Sequence, residues 1–158
     1  MTQQASVLTD DMRAKIGVES EPVPHEVDNT GCRQFARSVG YTDPVFFDEG
    51  YARTKGLRGI RAPYGFLGHP IVVPGKPTAA HPATSLNIPY KRVLNGGTDI
   101  EYFQDVFAGD ALTATSKISD LTEREGKMGP MLIISTETTF RNLDGEVVAV
   151  QRGAAIRY

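Results

Sequence analysis

Two textures divide this chain. As far as about residue 91, apolar residues come in short clusters broken by proline and glycine, and from Arg92 onward they alternate with polar ones. In the first part, Cys32, Phe35, Ala36 and Val39 recur at i, i+3, i+4 and i+7, one face of a helix. This predicts a helix over Gly31–Val39, with Asp28 or Thr30 as N-cap and Gly40 placed to stop it. A second short helix is expected over Asp48–Leu57, capped by Asp48 and closed by Gly56. A further one is expected near Asp10–Ile16. Pro22–Val27 reads as an extended segment kept off sheet centres by its two prolines. Asp43-Pro44 punctuates a turn.

The most apolar window before the C-terminal half is Gly59–Val73, reading G-I-R-A-P-Y-G-F-L-G-H-P-I-V-V. It is far shorter than the roughly 20 residues a membrane helix needs, which points to a buried segment. Pro63 suits the first turn of a helix, and Pro70 limits its length. The window predicts a short central helix from Tyr64 that kinks or ends near His69, its N-terminus being the functional spot. Phe66, Leu67, Ile71, Val72 and Val73 would each gain roughly 1.5–3 kcal/mol from full burial. Pro74–Pro89 reads as a long irregular excursion, a length uncommon unless it covers something.

The second part predicts four strands, Thr98–Val106, Ala111–Leu121, Met131–Arg141 and Glu146–Tyr158. Ala108-Gly-Asp110, a charged turn over Glu123–Pro130 and Asn142-Leu-Asp-Gly145 join them, the last a strong hairpin signal. Gly96-Gly97 reads as a bulge rather than a phosphate loop, because no helix follows. Helices first and an antiparallel meander last give an α+β class, a long curved sheet wrapped around a short central helix.

A length of 158 residues fits a single domain over 1–158, with 1–15 expected to be flexible. The net charge of −2 argues against general nucleic-acid binding. No basic-then-apolar leader opens the chain, and Cys32 is the only cysteine, so a cytoplasmic protein without internal disulfides or membrane association is expected. A lone thiol in a helical pattern reads as a small buried hydrophobe rather than a nucleophile. His25 and His81 sit among prolines with no partner at ligand spacing, so no metal site is expected.

Three stretches carry a resemblance. Phe35-Ala-Arg-Ser-Val-Gly-Tyr-Thr-Asp-Pro-Val-Phe-Phe-Asp48 resembles a helix followed by a G-D-x-N-P-(L/V)-H loop. Gly59-Ile-Arg-Ala-Pro-Tyr-Gly-Phe66 resembles a G-(F/I)-x-A-P lead into a central helix. Leu94–Leu112 resembles a G-G-x-x-(F/Y)-E-(F/Y) strand ending in a V-x-x-G-D turn. In this order they resemble the MaoC-like dehydratases and (R)-specific enoyl-CoA hydratases, in particular the N-terminal-type half of two-part members. The resemblance implies a hot-dog fold and hydration or dehydration of acyl thioesters. It implies no cofactor, the substrate being carried by coenzyme A or acyl carrier protein.

Such chemistry needs a base for water, an acid for the α-carbon and donors for the thioester oxygen. The family takes its Asp and His from the loop; here those positions hold Tyr41 and Phe46, and the family's Asn position holds Asp43. Phe46 transfers no proton, and Tyr41, with a reference pKa near 10, is a poor base. No catalytic residue is therefore assigned; Asp43 and Tyr41 are the weak candidates. Asp43 also reads as an ordinary Asp-Pro turn residue, and His69 as a packed histidine. The expected substrate-binding set is Tyr41, Phe46, Arg61, Tyr64, Gly65, Phe66 and Leu67. Arg53, Lys55, Arg58 and Arg61 form a basic cluster suited to coenzyme phosphates or to an acidic acyl carrier protein, or simply a solvated face. The expected role is a subunit that binds the acyl group while a second hot-dog chain supplies the dyad. A homodimer, a stand-alone hydratase with an altered site and a non-catalytic acyl-CoA binder are the alternatives. A thioesterase ranks low, since Pro63–Gly68 holds no carboxylate.

Overall fold

The computed structural model describes residues 6–127 and 129–158. The chain runs α1 (Asp10–Ala14), β1 (Val23–Glu26), α2 (Asn29–Ser38), α3 (Glu49–Thr54), β2 (His69–Pro70), β3 (Val93–Tyr102), β4 (Ala111–Gly126), β5 (Gly129–Arg141) and β6 (Val147–Arg157). The strands form one antiparallel sheet in the order β2-β1-β4-β5-β6-β3. This curled sheet with few helices is an α+β hot-dog arrangement.

Caps explain where the helices start. Asp28 accepts from Gly31 N at 2.8 Å and opens α2; Asp48 accepts from Tyr51 N at 2.9 Å and opens α3. The apolar stripe of α2 is buried through Cys32 and Ala36, with Phe35 packed beside them. Cys32 belongs to one core cluster with Leu112, Ala114, Phe140 and Ala149 of the sheet, and Phe35 packs against that cluster, so α2 is the short helix on the sheet's inner face. Val39, expected on the same face, is half exposed.

The central window departs from expectation. Residues 64–69 form no helix. Phe66 N donates to Pro63 O in a single turn, and the chain then joins the sheet as β2, with Ile71 N donating to Pro24 O. The reason lies in two glycines. Gly65 and Gly68 adopt φ of +100° and +83°, left-handed values that interrupt a right-handed helix at a spacing of three. Phe66 and Leu67 are buried as expected, and Pro63 is buried with them. Ile71, Val72 and Val73 are not; they stand 46%, 63% and 45% exposed.

Only three of the four late strands form a meander. β4, β5 and β6 follow one another through hairpins, whereas β3 crosses to the far side of β6. The link after β3 cannot act as a hairpin because its backbone is committed elsewhere: Ala62 N donates to Val106 O, Ala108 N to Ile60 O and Gly109 N to Val27 O. The expected turn over Glu123–Pro130 is mostly strand, since β4 continues to Gly126 and β5 begins at Gly129. β1 is not an edge either: it lies between β4 and the two-residue β2, despite Pro22 and Pro24. The register shift between Asn95 and Gly97 is the expected bulge. At Asn142, the side-chain oxygen accepts from Asp144 N and Glu146 N, which closes the β5–β6 hairpin.

The expectation that 1–15 is flexible falls in part on residues 1–5, outside the described residues. From Ser6 the chain is tied down: Ser6 Oγ and Val7 N both donate to Glu123, and Met12 is buried in a second apolar cluster with Ile118, Leu121, Leu132 and Ile134. Among the described residues, no helix is long and apolar enough to cross a membrane.

On the outer face, Lys117, Glu137, Arg152 and Glu101 form a chain of ion pairs across β4, β5, β6 and β3. The Lys117 ammonium first, and Arg152 second, hold the Glu137 carboxyl below the usual carboxylate range. A carboxylate depressed by folding adds stability above its unfolded pKa and loses it as pH falls through the folded value. Thermal unfolding from about pH 6 to about pH 3 should therefore show a falling Tm. Glu137→Gln should flatten part of that slope and cost roughly 0.5–1 kcal/mol at neutral pH.

Candidate functional site

A cavity of about 800 Å³ opens between the inner face of the sheet, α2, the Gly65–Pro70 turn and the excursion at Thr78–His81. Its size lies high in the roughly 300–1,000 Å³ span of small-molecule sites. It exists because the turn is held open from both ends. Gly65 N donates to the Tyr102 hydroxyl at 2.8 Å. At Gly68 a Cβ would stand 2.6 Å from Glu26 O, so only glycine lets the turn lie this close to β1.

The walls are apolar where Phe35, Phe66 and Leu67 face the opening. The floor is not. Ser116, Thr138 and Gln151 are register partners on β4, β5 and β6, and all three line the cavity. The Ser116 and Thr138 hydroxyls are 2.7 Å apart and share a hydrogen bond. All three histidines of the chain line the same cavity, and among the described residues no Asp, Glu, Lys or Arg does. His25 Nδ1 lies 3.1 Å from Val23 O with its ring edge-on to Phe140; His81 Nδ1 accepts from Ala83 N, and burial lowers the His81 pKa. His69 packs edge-on against Phe66. A Cβ on Gly31 would lie 3.0 Å from His69 Nε2 and 2.9 Å from Asp28 Oδ2, so this imidazole and this carboxylate flank one point on the first turn of α2.

The residues singled out in the sequence divide into two groups. Gly65, Phe66 and Leu67 line the cavity. Tyr41 and Phe46 lie outside its lining, their rings packed at a tilt of 38° with 4.9 Å between centroids. Asp43 is the cap of a single turn at Pro44–Phe46 and accepts from Val45 N at 3.0 Å. Tyr64 and Arg61 also stand apart: Arg61 pairs with Asp105, donates to the Tyr64 hydroxyl and lies over its ring. The basic cluster is largely neutralised, because Arg53 pairs with Glu49 and Arg58 with Asp110. The Lys55 ammonium lies over the Tyr51 ring. The expected helix N-terminus is absent, and one of its amides, Gly65 N, is occupied by Tyr102. Burial raises the Tyr102 phenol above its usual value, which keeps it a neutral hydroxyl.

Sequence reasoning missed the floor. Its signal was present: Ser116 sits in phase with Leu112, Ala114 and Ile118, and Thr138 in phase with Phe140, polar residues on what is otherwise the apolar face of their strands. Cys32 is fully buried, and burial, with Asp28 second, pushes its thiol up to about 12. Among the described residues, no group of three or more His, Cys, Asp or Glu can hold a metal ion.

The model of the FAS1-like dehydratase domain region matches residues 14–151. The chain belongs to this MaoC-like hot-dog dehydratase family. It is 35% identical over 106 residues to a UPF0336 protein of Clavibacter michiganensis, covering 65% of this chain and 68% of that one. It is 27% identical over 137 residues to a "Probable enoyl-CoA hydratase alpha subunit" of Thermomonospora curvata, 80% of this chain but only 43% of that relative's length. In fold it is similar to the crystal structure of the ChsH1–ChsH2 complex from Mycobacterium tuberculosis, with a TM-score of 0.75 at 18% identity over 92% of this chain and 87% of that one.

Two outcomes test this geometry. Gly68→Ala forces a side chain against Glu26 O at a left-handed φ and should cost at least about 2 kcal/mol, read by urea unfolding. Cys32 should resist alkylation in the folded protein and react at the ordinary thiol rate once urea unfolds it.

Proposed function

We propose that this chain is the acyl-binding half of a two-part enoyl-thioester hydratase or 3-hydroxyacyl-thioester dehydratase. A second hot-dog chain supplies the Asp and His that move protons. The observation that carries the reading is the Tyr41–Phe46 pair. These rings pack together at the positions that match the family's acid and base, outside a cavity whose described lining holds no Asp, Glu, Lys or Arg. General acid–base groups contribute about 10²–10⁴-fold each, so their absence leaves binding but little turnover.

The edge of the sheet supports the second chain. β3 has ten residues and, among the described residues, one unpaired side; Val93 and Leu94 within it and Phe103 just after it are about half exposed. A long exposed strand edge of this kind favours pairing with another strand. The similarity to a relative described as an alpha subunit and to a chain solved as part of a complex agrees with this role. Coenzyme A or acyl carrier protein would carry the thioester, and no cofactor enters the reaction.

One observation favours a stand-alone enzyme instead: Asp28 Oδ2 and His69 Nε2 flank the same point at the cavity wall. A direct comparison separates the two. The isolated chain should show no hydration of crotonyl-CoA or decenoyl-CoA by loss of enoyl absorbance, and activity should appear on co-expression with a small hot-dog protein holding an intact D-x-N-P-x-H loop. Robust turnover by the isolated chain, lost in His69→Ala and kept in Asp43→Ala, would instead assign the chemistry to the Asp28–His69 pair.

A further inference from the structure

We propose that residues 77–81 form a proton-operated cover on the cavity, fastened while the His81 imidazole is neutral and released when it takes up a proton. This does not rest on the acyl-binding reading; it concerns access to the cavity, whatever ligand enters. Thr78, Ala79, Ala80 and His81 line the opening. Among the described residues, the stretch from Pro77 to Ala80 makes no hydrogen bond, so it opens at little cost. It is fastened at its two ends. At one end Lys76 N donates to Val73 O across a turn in which Gly75 takes a φ of +78°. At the other, His81 caps the single turn Pro82–Ser85. Lys15 Nζ clamps that turn by donating to Ser85 O at 2.7 Å, and Leu86 anchors it in the second apolar cluster.

The fastening at His81 depends on its charge. Nδ1 accepts from Ala83 N at 3.3 Å, which needs a lone pair on that nitrogen and so an imidazole protonated on Nε2 alone. A second proton goes to Nδ1, turns the acceptor into a donor and sets it against the Ala83 amide hydrogen. The surroundings push the same way. His25 of β1 and His69 of β2 line the same cavity, and among the described residues no Asp or Glu does. Acid therefore places like charges around one space, two on the sheet and one on the cover. Asp28, beside His69 on the first turn of α2, offsets part of the His69 charge. The charged side chains at the two ends of the cover, Lys76 and Lys15, are both cationic. β4 and α2 present Ser116, Gln34 and Ser38 to the cavity, none of which titrates. Burial, with no neighbouring charge, lowers the His81 pKa. The cover is therefore fastened at neutral pH and released as the pH falls below about 6.5.

Amide exchange followed by NMR at about pH 7.5 and about pH 5, corrected for the intrinsic exchange rate, tests this at Ala83 itself. Protection of that amide should fall about fivefold or more at the lower pH, the size of a lost cap. Uptake of the neutral apolar dye diphenylhexatriene, followed by stopped-flow fluorescence, should speed up by a similar factor. His81→Asn keeps an acceptor at the cap that does not titrate, so both readouts should become flat across the two pH values. His81→Ser, a second neutral cap, should behave in the same way, and it decides the matter if the Asn variant fails to fold. His81→Ala should leave Ala83 unprotected and the dye fast at both pH values. Protection or uptake that is no different at the two pH values in the unaltered chain overturns the inference, as does a change that persists in the neutral-cap variants. The acyl-binding reading survives either result, since neither readout involves a thioester.

Discussion

Everything distinctive about this molecule follows from a contact between two stretches of backbone. The turn at Gly65–Gly68 lies directly on β1, and Gly68 approaches the carbonyl of Glu26 closer than any side chain would allow. Together with Tyr102, which holds the amide of Gly65, this contact turns an apolar, helix-prone stretch into a tight turn and a scrap of strand. Beside this turn opens the cavity, with Ser116, Thr138 and Gln151 of three adjacent strands in its lining.

The charges on the surface complement this arrangement by neutralising one another. Arg58 with Asp110, Arg61 with Asp105 and Arg53 with Glu49 leave little free charge around the turn. The longest ionic chain, from Lys117 to Glu101, lies on the opposite face of the sheet. The described lining of the cavity accordingly holds histidines, hydroxyls and amides but no Asp, Glu, Lys or Arg.

Much of this was legible in the residues. Asp28, Asp48 and Asn142 announced a cap, a second cap and a hairpin, because each acts on its immediate neighbours. The strand cores of β4, β5 and β6 showed in their alternation. The failures share a cause, which is that the deciding partner lies far along the chain. Gly65 and Gly68 look compatible with a helix until Glu26 and Tyr102 are placed beside them. The pairing of β3 with β6 rather than β4 depends on Val106, Ala108 and Gly109 bonding to Ala62, Ile60 and Val27. The floor was hidden for the same reason: Ser116, Thr138 and Gln151 are unremarkable singly and form a row only across three strands.

The crossing of β3 to the far side of β6 also fixes an order of events during synthesis. Helix α2 emerges from the ribosome early, but the surface it covers includes Phe140 and Ala149, near the other end of the chain. The β5–β6 hairpin closes locally, whereas β3 and β1 must wait for strands that lie many residues later. Until residues near 150 have been made, the amphipathic helix and the strand β3 have nothing to rest on. Until then the nascent polypeptide carries adhesive surfaces uncovered, the circumstance in which a chaperone, or a companion chain made alongside it, does the most good.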